Sequence, residues 1–173
     1  MTVRLLLAGA IVAVGIRAPA AQDVLPEYRV KAGFLYNFVK YVEWPEPVKG
    51  PIRICVAGQN PFGTVLDELI KNERIRGLPL TAVVIPGPEP DCHVVFAPKT
   101  SKYGAYVRAA AGTPTLTVGE SDDFIATGGM IKFILDQGKV RFEINRLAAE
   151  RVKLRISSRL LQLARLTDGS EDR

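Results

Sequence analysis

The chain has 173 residues, a formal net charge of +5 and 47% hydrophobic residues, which suits one domain with a substantial core. The positive charge is modest, is spread along the chain and lacks an aromatic-rich RNA-binding signature, so we expect no nucleic-acid partner. Two cysteines and one histidine are too few ligands for a zinc site, and we expect no metal and no cofactor.

The first residues are typical of an export signal. Residues 1–4 form a short basic start, residues 5–16 are an apolar run, and Ala18-Pro19-Ala20 matches a signal-peptidase cleavage pattern. As a helix the apolar run would span roughly 18 Å, which is short of the ~30 Å hydrocarbon core of a membrane. The sequence therefore predicts a signal peptide over residues 1–20 and a periplasmic location. An uncleaved anchor or a buried helix is the alternative. Removing this segment lowers the charge from +5 to +3.

An amphipathic helix is predicted from Glu27 to Val42. Val30, Phe34 and Phe38 recur at helical spacing with polar residues opposite, so we expect them to face the core. The helix should end before Trp44-Pro45, because proline disfavours helical geometry at the residue before it.

Residues 28–44 are rich in aromatic side chains. Six of the thirteen aromatic residues lie within these seventeen positions, spread around more than half of the helical wheel, so one face cannot bury them all. Tyrosine and tryptophan are common at protein interfaces. We therefore predict a partner or dimer interface here, the alternative being a second core layer. The candidate interface residues are Tyr28, Tyr36, Tyr41 and Trp44.

Strands and helices alternate in the middle of the chain, which predicts an α/β fold. Four apolar runs predict buried strands at Ile52–Ala57, Leu78–Ile85, Cys92–Phe96 and Thr115–Val118. Intervening helices are predicted over Phe62–Lys71, capped by Asn60 and with Leu69 facing inward, and from Ser101 to Ala111. Right-handed crossovers then imply a three-layer-like, mostly parallel mixed sheet in the strand order 2-1-3-4, with helices on both faces.

A hairpin is predicted in the C-terminal third. Met130–Leu135 and Val140–Ile144 flank residues 136–139, Asp-Gln-Gly-Lys, which have hairpin spacing and turn chemistry. We expect this hairpin to add an antiparallel edge to the sheet.

Three further helices are predicted around this hairpin. A short one spans Asp122–Ala126, another runs from an Asn145 cap through Glu150, and the last runs from Ser157 or Ser158 to Arg165. The predicted organisation is then a single α/β domain over residues 21–166 and a flexible tail over residues 167–173.

The two cysteines, Cys55 and Cys92, are predicted to form a disulfide. In an exported protein they are an even count with only one possible intrachain pairing. In the predicted strand order the first strand carries Cys55 and its neighbour begins with Cys92, which is the adjacency that a disulfide needs. Closing this loop would stabilise the fold by roughly 4 kcal/mol on the chain-entropy model.

Charged residues alternate with apolar ones across the hairpin, at Lys132, Arg141 and Glu143. One interpretation is a solvated face with cross-strand ion pairs, each worth well under ~1 kcal/mol. The other is a charged platform for a small anion or zwitterion, with Arg155 or Arg159 nearby. In that case the candidate ligand-binding residues are Glu143 and Arg155.

No catalytic constellation is recognisable. The segment Gly58–Gly63 lies where α/β folds bind phosphates, but it lacks the P-loop and dinucleotide signatures and is better interpreted as a turn and cap. No nucleophile elbow accompanies His93, which we expect to be a hydrogen-bonded structural residue. We predict a protein without enzymatic activity.

Several segments resemble the YfiR-like periplasmic family in the same order, from about Glu27 to Leu166. The opening segment is Glu27–Pro45, from Glu-Tyr-Arg-Val-Lys-Ala-Gly-Phe to Val-Glu-Trp-Pro. The others are Ile54–Val56, Asn60–Gly63, Cys92–Phe96, Gly128–Ile131, Arg141–Asn145 and Leu154–Leu161.

The resemblance implies a small periplasmic domain, usually a homodimer, without known catalytic activity. Such proteins repress an inner-membrane diguanylate cyclase by binding its periplasmic part, which lowers cyclic di-GMP and biofilm formation. Cys55 and Cys92 match a pair shared widely in the family, whereas a second bridge of some members has no counterpart here. The function implied is therefore a non-enzymatic periplasmic repressor. The alternative is a periplasmic small-molecule sensor whose ligand is unknown.

Overall fold

A computed structural model describes residues 24–167 of the chain. The predicted signal peptide and residues 168–173 of the predicted tail lie outside the described residues. Five helices are described: α1 Pro26–Tyr41, α2 Val65–Ile70, α3 Tyr103–Ala110, α4 Arg146–Arg151 and α5 Ser158–Leu161. The first five strands are β1 Val42–Glu43, β2 Ile52–Ala57, β3 Arg74–Ile75, β4 Leu78–Ile85 and β5 Val94–Ala97. The other five are β6 Leu116–Gly119, β7 Ile131–Asp136, β8 Lys139–Asn145, β9 Arg155–Ile156 and β10 Arg165–Thr167.

Eight of these strands form one mixed sheet in the order β10-β8-β7-β6-β5-β2-β4-β3. The four central strands β4, β2, β5 and β6 are parallel and stand in the predicted order. The hairpin of β7 and β8 is antiparallel, as predicted. It does not form the edge of the sheet, because β10 pairs in parallel with β8 beyond it.

The sheet separates two layers of buried side chains. The larger layer, beneath α1, includes Leu35, Phe38, Ile54 and Phe96 and also receives residues of α2, α4 and α5. The smaller layer lies beneath α3 and contains Tyr106 together with both cysteines. Helices on both faces of a mostly parallel sheet confirm the predicted fold class. A separate two-stranded sheet joins β1, directly after α1, to β9.

The hairpin turn has the geometry that its sequence demands. Gln137 and Gly138 have φ angles of 49° and 75°, and two consecutive positive φ angles are typical of tight hairpin turns that match the twist of the strands. The turn fixes the register, so that Lys132 stands opposite Glu143 and Phe133 opposite Phe142. Phe133 and Phe142 consequently face the α1 layer.

The buried face of α1 differs from the predicted one. Val30 is 49% exposed, whereas Lys31 and Leu35 are buried; Phe38 is buried, as predicted. Positions 31, 35 and 38 share one stripe of the helix, so the face toward the core is rotated relative to the predicted face. A buried acidic partner for Lys31, described below, makes this orientation possible.

The boundaries of α2 were also predicted wrongly. This helix begins at Val65, and the Asn60 side chain instead accepts a hydrogen bond from the Phe62 N–H within the preceding turn. Leu66 and Ile70 are buried, whereas Leu69 is 40% exposed.

Several predicted helix ends need correction. The Ser101 hydroxyl donates to the Pro98 carbonyl and does not cap α3, residues 122–128 form turns rather than a helix, and the last helix ends at Leu161. The caps at Asn145 and Ser157 are confirmed, since their side chains accept hydrogen bonds from the Ala148 and Leu160 N–H groups.

The turns at residues 121–129 hold one aromatic ring between two glycines. Phe124 is fully buried beneath α3, and a methyl group added at either Gly119 or Gly129 would overlap its ring. The two glycines therefore provide the space in which Phe124 closes this end of the smaller layer.

Replacing Gly119 with alanine should lower the free energy of unfolding by about 1–3 kcal/mol, because the added methyl group overpacks the site of Phe124. Urea denaturation followed by circular dichroism measures this change. Gly33→Ala is the matched control. A Cβ at Gly33 meets nothing within 4 Å, so alanine should stabilise α1 by about 0.5–1 kcal/mol. Equal effects of the two substitutions would contradict the proposed role of Gly119.

Candidate functional site

Cys55 and Cys92 form the predicted disulfide. Their Cα atoms are 5.8 Å apart, and the bond joins β2 to the residues that lead into β5. Cys55 is fully buried and Cys92 is 4% exposed, with Tyr106 of α3 in the same buried cluster. A thiol reductant can therefore reach these sulfurs only after local opening of the fold.

His93, directly after Cys92, is tied to β2 by two hydrogen bonds. Its backbone N–H donates to the Arg53 carbonyl at 3.0 Å, and its ring Nδ1 accepts from the Arg53 N–H at 3.1 Å. Burial, and then the charge of Arg53, lower the pKa of His93. The ring is therefore neutral at pH 7 with its proton on Nε2, and the expected role as a hydrogen-bonded residue is confirmed.

A buried ion pair that sequence reasoning missed anchors the first helix. The Lys31 ammonium pairs with Glu120 directly after β6, and both side chains are 6% exposed. The same carboxylate accepts from the Tyr28 hydroxyl at 3.0 Å and from the Lys99 N–H at 3.1 Å. Burial first, and then Glu120, raise the pKa of Tyr28. Two segments distant in sequence, α1 and the residues after β5, thus converge on the Glu120 carboxylate.

The candidate ligand-binding residues engage different partners. Glu143 pairs across the hairpin with Lys132 at 2.9 Å and with Arg165 of β10 at 3.3 Å. Arg155 pairs instead with Glu43 in the small sheet, at 3.8 Å. Within residues 24–167, no hydrogen bond or ion pair joins Glu143 to Arg155. The Lys132–Glu143 contact is the kind of cross-strand ion pair that the interpretation as a solvated face predicts.

The candidate interface aromatics pack partly against the core. Tyr28, Tyr36, Tyr41 and Trp44 are all half-buried against the α1 layer. The Tyr36 hydroxyl donates to Glu73 at 2.7 Å, and this hydrogen bond is the first cause of its raised pKa. The ring of Trp44 lies 6.2 Å from that of His93, edge to face. These side chains form an outer core layer and keep part of their surface exposed, and their role at an interface stays a prediction.

The described residues contain neither a metal-ligand cluster nor a helix that could span a membrane. Residues 24–167 contain no group of three or more His, Cys, Asp or Glu side chains placed to hold a metal ion. None of the helices described in this range is long and apolar enough to span a bilayer.

A comparison with known protein families assigns the chain to one of them. A family model described as YfiR/HmsC-like matches residues 28–165, which is most of the sequence. The chain belongs to the YfiR/HmsC-like family. Members of this family are periplasmic regulators of cyclic di-GMP signalling rather than enzymes. The matched region includes α1, the cysteine pair and the hairpin.

A solved structure shows the same fold. The crystal structure of a conserved domain protein from Vibrio cholerae O1 biovar El Tor strain N16961 superposes with a TM-score of 0.52 and 15% sequence identity. The superposition covers 81% of this chain and 60% of the Vibrio chain. No curated protein sequence matches this chain.

Removing the disulfide should destabilise the fold substantially. Because the bond closes a loop 37 residues long, Cys55→Ala/Cys92→Ala should lose about 4 kcal/mol of unfolding free energy in urea denaturation. Wild-type protein that is reduced while unfolded should match the variant. Equal stability of the oxidised wild type and the double variant would contradict this account.

Breaking the buried ion pair should cost more than breaking an exposed one. Lys31→Met leaves Glu120 without its cation and should lower the unfolding free energy by about 3–5 kcal/mol. The control is Lys99→Met, which removes an exposed pair with Asp122, whose side chains are 68% and 95% exposed. It should change stability by less than about 0.5 kcal/mol. A Lys31→Met effect as small as the control would show that the pair is not important for stability.

Proposed function

We propose that this protein is a periplasmic repressor of an inner-membrane diguanylate cyclase, which it binds through the periplasmic part of that enzyme. Repression would lower cyclic di-GMP and biofilm formation. The observation that carries the proposal is the family match over residues 28–165, because the family acts on cyclic di-GMP signalling from the periplasm.

Two features of the chain support the periplasmic location. The start of the sequence has the basic, apolar and small-residue pattern of a cleavable export signal. Both cysteines are joined in a buried disulfide, and such bonds persist mainly in oxidising compartments outside the cytosol.

Repression by binding sets an energetic requirement. The ratio of inactive to active cyclase must rise from 1:99 to 99:1. For this shift the repressor must bind the inactive state about 5.5 kcal/mol more tightly than the active state. A large, specific interface is needed. A homodimer that binds two cyclase subunits would divide this difference in binding free energy between two sites. We therefore include a homodimer in the proposal.

The outer face of the hairpin is the surface that we propose for the cyclase. Helix α3 packs on β5 and β6, whereas Arg141, on the outer face of β8, is exposed. Lys139 and Arg165 share this face, and the Glu143 carboxylate already pairs with Lys132 and Arg165. The surface therefore carries excess positive charge and fits an acidic patch on the partner.

The small-molecule alternative gains no support from Glu143 and Arg155. Glu143 pairs with Lys132 in the large sheet, whereas Arg155 pairs with Glu43 in the small sheet. The clefts beside Trp44 are better suited to a ligand.

Reversing one charge on the hairpin should release the cyclase. Arg141→Glu should raise cellular cyclic di-GMP toward the level of a gene deletion, measured by mass spectrometry of cell extracts, without lowering the melting temperature. Arg159→Glu is the matched control: it makes the same charge change on α5, across the sheet, where an acidic residue suits the helix N-terminus. Unchanged cyclic di-GMP after gene deletion would refute the proposed function. An effect of Arg159→Glu equal to that of Arg141→Glu would refute the proposed surface.

A further inference from the structure

Two clefts flank the segment between the first helix and β2. We call residues 44–48, Trp-Pro-Glu-Pro-Val, the strap. A cleft of about 490 Å³ lies between the strap and the region of Arg53, Cys92 and His93. A second cleft of about 460 Å³ lies on its other side, against Arg76 and Leu78. Both volumes are within the range of small-ligand and peptide sites.

The strap is held by packing rather than by hydrogen bonds. Among residues 24–167, no hydrogen bond and no ion pair anchors any residue from Trp44 to Pro51. Trp44 and Val48 pack against the α1 layer, whereas Pro45, Glu46 and Pro47 are exposed. Such a segment can move outward without breaking hydrogen bonds.

Two N–H donors of this region have no acceptor. The indole Nε1 of Trp44 is the one buried side-chain polar atom of the described residues without a hydrogen-bond partner. The neutral His93 ring carries its proton on Nε2, because Nδ1 accepts from Arg53, and no partner joins Nε2 within residues 24–167. An unpaired buried donor such as the Trp44 Nε1–H is destabilising, so an acceptor that reached it would be bound favourably, and the His93 Nε2–H can donate to the same ligand.

The larger cleft is lined mostly by apolar groups. Besides the rings of Trp44 and His93, five prolines line it, which lack N–H donors and have fixed φ angles. These prolines are Pro45, Pro47, Pro51, Pro90 and Pro114. Cys92 also lines the cleft, next to His93. The disulfide therefore joins this side of the cleft covalently to β2.

We propose that the cleft between Trp44 and His93 binds an extended, proline-containing peptide segment of a protein partner. Such segments leave their backbone carbonyls free and place prolyl rings on aromatic surfaces, which matches the two free N–H donors and the two rings. The strap shifts outward on binding, which brings the Trp44 indole within reach of a peptide carbonyl. This inference goes beyond the proposed function, because it concerns a binding activity of the purified protein whatever the partner.

Trp44 is the only tryptophan of the chain and lines both clefts, so its fluorescence reports on the strap and the clefts beside it. The full-length oxidised protein is titrated with acetylated, amidated decaproline. We expect a saturable change in emission, and no change with a glycine-serine decapeptide of the same length. The absence of a saturable change with decaproline would overturn the proposal. A saturable response to free proline but not to decaproline would also overturn it, by replacing the peptide with a small molecule.

Substitutions then test the two donors by calorimetry. Trp44→Phe and His93→Phe keep an aromatic ring but remove the N–H group, and each should weaken decaproline binding roughly tenfold. His93→Phe also removes the Nδ1 acceptor of the Arg53 N–H, so Trp44→Phe is the cleaner test. Tyr103→Phe on α3, remote from the cleft, is the control and should leave the affinity unchanged. Wild-type affinity in folded Trp44→Phe would overturn the proposal. Hydrogen exchange of the wild type gives a second test that needs no variant: decaproline should change exchange within residues 44–51, and unchanged exchange there would overturn it.

Discussion

The bond between Cys55 and Cys92 is the constraint on which the rest of the structure depends. It lies where the strand order reverses, since the chain leaves β2 toward β4 on one side and returns to β5 on the other. It also holds His93 against Arg53, and with it the wall of the larger cleft. Because both sulfurs are buried, the bond behaves in the folded protein as a structural crosslink rather than as an exposed redox switch.

The second constraint is the docking of α1. Lys31 and Glu120 place a buried charge pair between this helix and the end of β6, while Phe34 and Phe38 contact the rings of the hairpin. The helix, the central strands and the hairpin are thereby fixed to one another. The surfaces left for function are the outer face of the hairpin and the clefts beside the strap, which suit recognition of a partner.

Local patterns in the sequence predicted the four central strands, their order and the hairpin, but not the short strands β1, β3, β9 and β10. The bounds of β2 and β4 were predicted correctly because most of their residues are apolar. The hairpin was predicted because Gln137-Gly138 allows two positive φ angles. The predictions that were wrong concern features that depend on contacts between residues distant in sequence. The partner of Lys31 lies 89 residues away, so a helical wheel could not place it in the core. Strand β10 has three residues and no apolar alternation. The acidic start of residues 122–126 indicated a helix, but the packing of Phe124 between two glycines produces turns.

For the site, the cysteine pair and the structural role of His93 were predicted, whereas the free Trp44 donor arises only from tertiary packing.

The central claim is that the chain folds outside the inner membrane with its sulfurs joined. The most direct measurement is the intact mass of the protein from the bacterial envelope, alkylated while unfolded, both before and after reduction. The account predicts the mass of a chain that begins at residue 21, with no alkyl groups before reduction and two after it. Two alkyl groups before reduction, or a mass that includes residues 1–20, would contradict it.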